Sequence, residues 1–284
     1  MRELNFIATK DGDLLSFLQS FYLSKKTINE FIYHGHVAIN GLETKNNEFY
    51  KQGNLITITY YEETNIKPYF FLLVIVFEDD DLLIVNKPTN LLVHPDDNSE
   101  KTLDNIVYAY FINKNNPINP RHLHRLDTDT SGLVIYAKHL LAHAFLNYQI
   151  ENNLVEKKYY AIVEGTLKQK QGTIDLPIGR NRHEANKSIV SKQGKRAITE
   201  FKVIKEQNKQ SLLDVTIHTG RTHQIRVHLA HLDHPVVGDK LYGTQAERLM
   251  LHAYYLAFIH PRTKKKTFIQ IDIPSDFTLK NEKS

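Results

Sequence analysis

HLHRLDTDTSGLVIYAK (122–138) changes character at its midpoint. The first half is polar and charged, while Leu133 to Ala137 is apolar enough to form a buried strand. Thr130, Ser131 and Gly132 are expected to make the turn between the halves. A loop anchored by a buried strand is a rigid mount, so a carboxylate at its tip is held where a substrate can meet it. Asp127 has that position. Arg125, two residues earlier, carries a planar guanidinium suited to a phosphate or to the face of a base. The bland alternative is that these aspartates only bond nearby turn amides, and Asp129 fits it better than Asp127.

Outward from this stretch, short strands alternate with a few helices. FLLVIVFEDDDLLIVNKP (71–88) reads as two apolar strands around an acidic turn, Glu78 to Asp81. TLDNIVYAYF reads as a helix, KKYYAIVEG (157–165) as an alternating strand, and ITEFKVIK with SLLDVTIHT as a strand pair. HQIRVHLAHL is expected to be a helix, with Ile225, Leu229 and Leu232 on one face, ending before Pro235. The pattern predicts an α+β fold with a mixed, largely antiparallel sheet and flanking helices and loops.

The first sixty residues read as a separate small unit. Leu14, Leu15, Phe17, Leu18 and Phe21 recur at helical spacing, and Ser24 precedes a second apolar stripe of Ile28, Phe31 and Ile32. Asn40-Gly41 is a two-residue hairpin signal, and KQGNLITITY gives a further strand. With a polar linker near 61–70, the division is 1–66 and 67–284, and residues 71–284 are expected to fold alone. Two helices followed by a hairpin containing VAING resemble the RNA-binding module named after ribosomal small-subunit protein four.

Bulk properties set the class. The 284 residues are 41% hydrophobic and 24% charged, without cysteine, so disulfides and thiolate zinc sites are excluded. The longest apolar run, FFLLVIVF (70–77), is too short to span a bilayer, and the N-terminus carries no signal-like apolar stretch. A cytoplasmic monomer is the expectation. Residues 1–66 carry six Lys/Arg against eight Asp/Glu, and the rest of the chain carries 30 against 24. GRNRHEANKSIVSKQGKR (179–196) has six basic side chains and one acidic one, a pattern suited to a polyanion, with Arg180, Lys195 and Arg196 as candidate phosphate contacts.

Several long stretches resemble, in order, the RluA-type pseudouridine synthases: the Lys87-Pro88 loop, HRLD followed by TSGLVIYAK, KKYYAIVEG, LPIGRN with GKRAITEF, TGRTHQIRVHLAHLDHPVVGDKLYG (219–243) and RLMLHAYYLAF (248–258). Asn90 stands where the family usually has Gly, and Asn tolerates the left-handed conformation that such a turn needs. The resemblance implies an isomerase that detaches uracil N1 from ribose and rejoins the sugar at C5, without cofactor, metal or nucleotide. It implies Asp127 as the essential carboxylate, acting as a nucleophile or by taking a ribose proton. Tyr159 would stack on uracil and move the C5 proton, and Arg221 would form an ion pair that aims Asp127. Arg125 would fill the space left by the extruded base, and Leu251 would line the pocket. The substrate class implied is structured RNA, ribosomal large-subunit RNA first and transfer RNA second.

Two other readings compete. His122, His124, His223, His228, His231, His234 and His252 offer a supply of metal ligands, but their spacing matches neither HExxH nor a facial triad. A non-catalytic RNA-binding or ribosome-assembly protein on the same fold would be expected to have lost HRLD or the tyrosine, and both are present.

Overall fold

The apolar half of the opening stretch forms the strand Ser131–Ala137, buried along its whole length. It pairs antiparallel with Leu82–Lys87 and, through Ser131 and Gly132, in parallel with Leu251–Ile259. The computed structural model describes residues 1–95, 99–184 and 186–279. Within them the central sheet has ten strands. Its path runs from Gln171–Asp175 through Ile198–Gln207, Gln210–Ile217, Glu156–Glu164, Leu251–Ile259, Ser131–Ala137 and Leu82–Lys87 to Val74–Glu78. All its pairings except that of Ser131–Ala137 with Leu251–Ile259 are antiparallel. The fold is therefore α+β with a mixed, largely antiparallel sheet.

Gly132 is not part of a turn. It lies inside the strand with φ +120°, and a Cβ there would sit 2.2 Å from the Ala253 carbonyl oxygen. The polar-to-apolar switch in the sequence marked the strand, but it begins two residues earlier than expected, at Ser131, and the glycine serves the close approach of two strands. Ala253 also faces Tyr159 across the next pairing, where the register shifts between Lys158 and Tyr159.

Alternation along the central strands sorts side chains to two faces. Leu83, Val85, Val134, Tyr136, Tyr159, Leu251 and Ala253 belong to one apolar cluster, which includes the helices Leu103–Asn113 and Gln224–His231. Leu82, Ile84, Leu133, Ile135, Leu256 and Phe258 face the other way, toward the helix Leu140–Glu151 and the N-terminal unit. That helix escaped the sequence reading because LLAHAFLNYQIE is apolar around most of its circumference, which erases the periodic signal. Helix Gln224–His231 ends as expected, but Leu232 falls beyond it and is partly exposed.

The N-terminal unit has the expected helices, Leu14–Gln19 and Lys25–Tyr33, and the hairpin Val37–Ile39/Leu42–Thr44. Arg2–Ile7 adds a strand the sequence reading lacked, in a sheet of four. The unit is not mechanically separate, because its core and the back of the central sheet form one cluster. Arg262 donates to the Asn5 carbonyl at 2.8 Å, lies 4.3 Å from the Phe6 ring centroid and is bidentate to buried Asp81. Lys264 sits over Phe21 and Phe145, and Tyr22 stacks on Tyr148 at 3.7 Å. The independence expected for 71–284 thus meets a shared core.

Candidate active site

A cavity of about 600 Å³ opens between the loop carrying Asp127, the strand carrying Tyr159 and the start of helix Gln224–His231. Asp127, Arg125, Tyr159, Arg221, Arg226 and Leu251 all contribute to its wall. Arg180, Lys195 and Arg196 do not line it. They are exposed, with Arg196 paired to Asp175 at 3.1 Å and its carbonyl bonded by the cavity residue Arg221.

The Asp127 loop is fixed from beneath. Lys87 is fully buried and donates to the carbonyls of Pro88, Leu91 and Thr128 at 3.0, 2.7 and 3.0 Å. Burial pushes its ammonium down to about 7, against the attraction of Asp127 and Asp129. Asn90, in the same loop, takes the left-handed conformation expected of it, φ 59°. Asp129 pairs with Lys240 at 3.0 Å, and Thr130 N–H bonds the Asp127 carbonyl at 3.0 Å. Asp127 is left with its side chain 27% exposed toward the cavity.

The guanidinium at Asp127 belongs to Arg226, not Arg221. Arg226 Nη1 donates to Asp127 Oδ2 at 3.3 Å, while Nε and Nη2 grip both oxygens of Asp239 at 2.7 Å each. Arg221 instead donates from Nε to the Arg196 carbonyl at 2.9 Å, and its backbone N–H bonds Gln224 Oε1 at 3.1 Å. His223 takes a left-handed conformation, φ 57°, just before the helix. Arg221 therefore stays on the loop, whereas Arg226 enters with the buried face. A buried arginine next to Ile225 and three residues before Leu229 requires a carboxylate partner. Asp239, in the VVGDKLYG stretch, supplies it and also accepts from the N–H groups of Leu241 and Tyr242. Tyr242 completes the support, its ring 5.3 Å from the Arg226 guanidinium and its hydroxyl 3.0 Å from His223 Nδ1.

Tyr159 is buried, and its phenol is pushed up by burial and by the charge of Asp127. It therefore keeps its proton at neutral pH, next to the carboxylate and with its ring on the cavity wall. Leu251 gives the wall an apolar surface suited to a flat ring. Arg125, at the rim, is exposed and lies 3.2 Å from His94. Among the described residues, the cluster closest to a metal-binding arrangement is Asp79, Asp81 and His260, on the other face of the sheet. It includes none of the seven histidines singled out from sequence, and Arg262 already occupies Asp81.

Residues 81–231 match the family model described as RNA pseudouridylate synthase. The chain is 40% identical over 262 residues to the RNA pseudouridine synthase YhcT of Bacillus subtilis (strain 168), covering 89% of this chain and 86% of that one. It is 38% identical over 215 residues to ribosomal large subunit pseudouridine synthase D of Zymomonas mobilis subsp. mobilis, covering 69% and 68%. Among solved structures, human RNA pseudouridylate synthase domain containing 1 superposes with a TM-score of 0.62 at 29% identity, covering 75% of this chain and 87% of that one. With the matching model spanning over half its length, the chain belongs to the RNA pseudouridylate synthase family. It is an isomerase that converts uridine in RNA to pseudouridine.

Proposed function

We propose that the substrate is a uridine in large-subunit ribosomal RNA and that the cavity holds it as an extruded nucleotide. The observation that carries the placement is the pairing of one carboxylate with one neutral phenol. Asp127 is the sole carboxylate lining the cavity among the described residues, and Tyr159 lies beside it. Asp127 begins the isomerisation, as nucleophile at the sugar or as base on it, with Arg226 holding its orientation. The Tyr159 ring stacks on uracil, and its hydroxyl assists the proton leaving C5. A phenol hindered from ionising is a weak acid and, once ionised, a strong base, which suits a relay over a permanent charge.

Arg125 stands at the cavity mouth, where a guanidinium can enter the duplex as the base leaves it. Arg180, Lys195 and Arg196, exposed outside the cavity, are available to the flanking phosphates. The 38% identity to a ribosomal large-subunit synthase supports the choice of ribosomal RNA over transfer RNA. The two helices and hairpin of residues 1–66 act as an additional RNA-binding surface of the kind found in ribosomal small-subunit protein four. The protein acts as a monomer in this reading.

Rejoining the sugar at C5 must expel the hydrogen there. RNA tritiated at uracil C5, from cells lacking the enzyme, is expected to release label in proportion to its target sites. Sequencing for pseudouridine then assigns the site. Label lost only from the transfer-RNA fraction would refute the ribosomal assignment.

A further inference from the structure

The cavity carries more positive charge than the reaction described above uses. Arg125, Lys157, Arg221 and Arg226 line it, against Asp127 as the one carboxylate among the described residues. Arg226 is taken up by Asp127 and Asp239, and Arg125 lies beside His94 at the rim. Lys157 is different. It projects from the same strand as Tyr159, two residues earlier, and its ammonium has no hydrogen-bond or ion-pair partner among the described residues. A partly buried cation without a partner is unfavourable unless something outside the chain completes it. Uracil and ribose are both neutral, so the group of opposite charge that a bound nucleotide can bring to Lys157 is its phosphate.

Lys157 reaches the cavity beside the backbone of Gly220. Gly220 has no side chain, and a Cβ built there would lie 3.8 Å from Lys157 Nζ. Arg221, the next residue, lines the same wall. His124, also in the wall, is pushed down to about 3 by burial and by Lys157's charge, so it stays neutral and offers no counter-charge. Burial lowers the Lys157 ammonium too, and a phosphate beside it would favour its charged form.

We propose that Lys157, facing Gly220 and Arg221 across the cavity wall, seats a backbone phosphate adjoining the uridine held in the cavity. The inference rests on the cavity being the uridine site. It makes Lys157 a substrate-binding residue that anchors the flipped nucleotide by its phosphate, while Asp127 and Tyr159 work on its sugar and base.

The test uses the full chain and C5-tritiated total RNA from cells lacking the enzyme, with KM and kcat measured over a series of salt concentrations. Lys157→Met is expected to raise KM by about tenfold and to flatten the dependence of log KM on log salt by about 0.7 to 0.9, the share of one phosphate contact. At saturating RNA its kcat stays within about twofold of the parent, and Lys157→Arg restores most of the salt slope. If Lys157→Met does not fold, Lys157→Gln carries the same expectations. An unchanged salt slope overturns the proposal, whether kcat falls or not. Absence of tritium release by the parent chain would instead remove the uridine reading on which it rests.

Discussion

Arg226 reaches Asp127 with one nitrogen and Asp239 with the other two, so the orientation of the exposed carboxylate is inherited from a buried one. Arg226 and Asp239 are almost fully inaccessible, whereas Asp127 opens on the cavity. The division of labour follows: Asp239 holds the guanidinium, and the guanidinium aims Asp127.

That hierarchy separates stability from activity. Arg226→Met should destabilise the fold by about 3–5 kcal/mol, because Asp239 is left buried and unpaired. Adding Asp239→Asn should recover much of the stability but none of the activity, since Asp127 still lacks its guide. Urea unfolding and tritium release on the single and double variants measure the two effects. A double variant with normal turnover would show that Asp127 needs no guide.

Asp127→Asn keeps the shape and removes the charge, so the variant should fold normally and bind RNA while turnover disappears. Arg221→Ala should be much milder than Arg226→Met, since Arg221 bonds a backbone carbonyl rather than the carboxylate. Equal losses in the two arginine variants would mean that Arg221 moves to Asp127 when RNA is bound.

Tyr159→Phe removes a hydroxyl and retains the ring. RNA affinity should stay within about twofold, while the rate of C5 hydrogen release falls by about a hundredfold or more, the scale of one lost general acid–base contribution. Single-turnover kinetics at saturating RNA distinguish the two quantities. A Phe variant releasing tritium at the parental rate would leave the phenol with a stacking role alone.

Acid stability should report on the back of the sheet. Burial would raise Asp81, but hydrogen bonds from His139 and Arg262, with their charges, bring its carboxyl from 3.8 down to about 2. Burial also keeps His139 low despite Asp81, so Arg262 is the lasting cation. A depressed carboxyl contributes stability that is present above its unfolded value and lost as pH falls through the folded one. The contribution is about 2 kcal/mol, disappearing between roughly pH 4 and pH 2. Unfolding free energies across this range should fall more steeply for the parent than for Asp81→Asn, and parallel curves would contradict the assignment.

Removing residues 1–70 should leave an aggregation-prone remainder. Phe145, His139 and Tyr148 would lose Phe21, Phe6 and Tyr22 as ring partners, and the apolar back of the sheet would lose much of its cover. A soluble 71–284 fragment with the parental melting temperature would show that the shared cluster contributes little.

How far the sequence could be read depended on whether the information was local. Ser131–Ala137, Glu156–Glu164 and the strands around the 78–81 turn carry their own apolar patterns, so their existence was legible. Asp127, Tyr159 and Leu251 lie at recognisable motif positions, and the fold brings all three to one cavity. The choice between Arg221 and Arg226 was not local. Both stand in TGRTHQIR, and only the left-handed His223 and the distant Asp239 decide which one is buried beside the carboxylate. Gly132 was misread for the same reason, because its neighbour Ala253 is remote in sequence. The docking of residues 1–66 was invisible, since an apolar face does not announce what covers it.

Ala253 stands between Gly132 and Tyr159 in the sheet, paired with each. The strand that anchors Asp127 and the strand that bears Tyr159 are therefore two interstrand steps apart, each about 4.8 Å by the geometry of backbone hydrogen bonding. That spacing acts as a fixed gauge. Substitutions at the carboxylate and phenol alter what those groups do, but the distance between their supporting strands is set by the backbone pairing through Ala253. Gly132 maintains the gauge on one side, because any side chain there would have to push the Ala253 backbone away. Replacing this one hydrogen atom by a methyl group would widen the reaction site without touching a single group that performs the reaction.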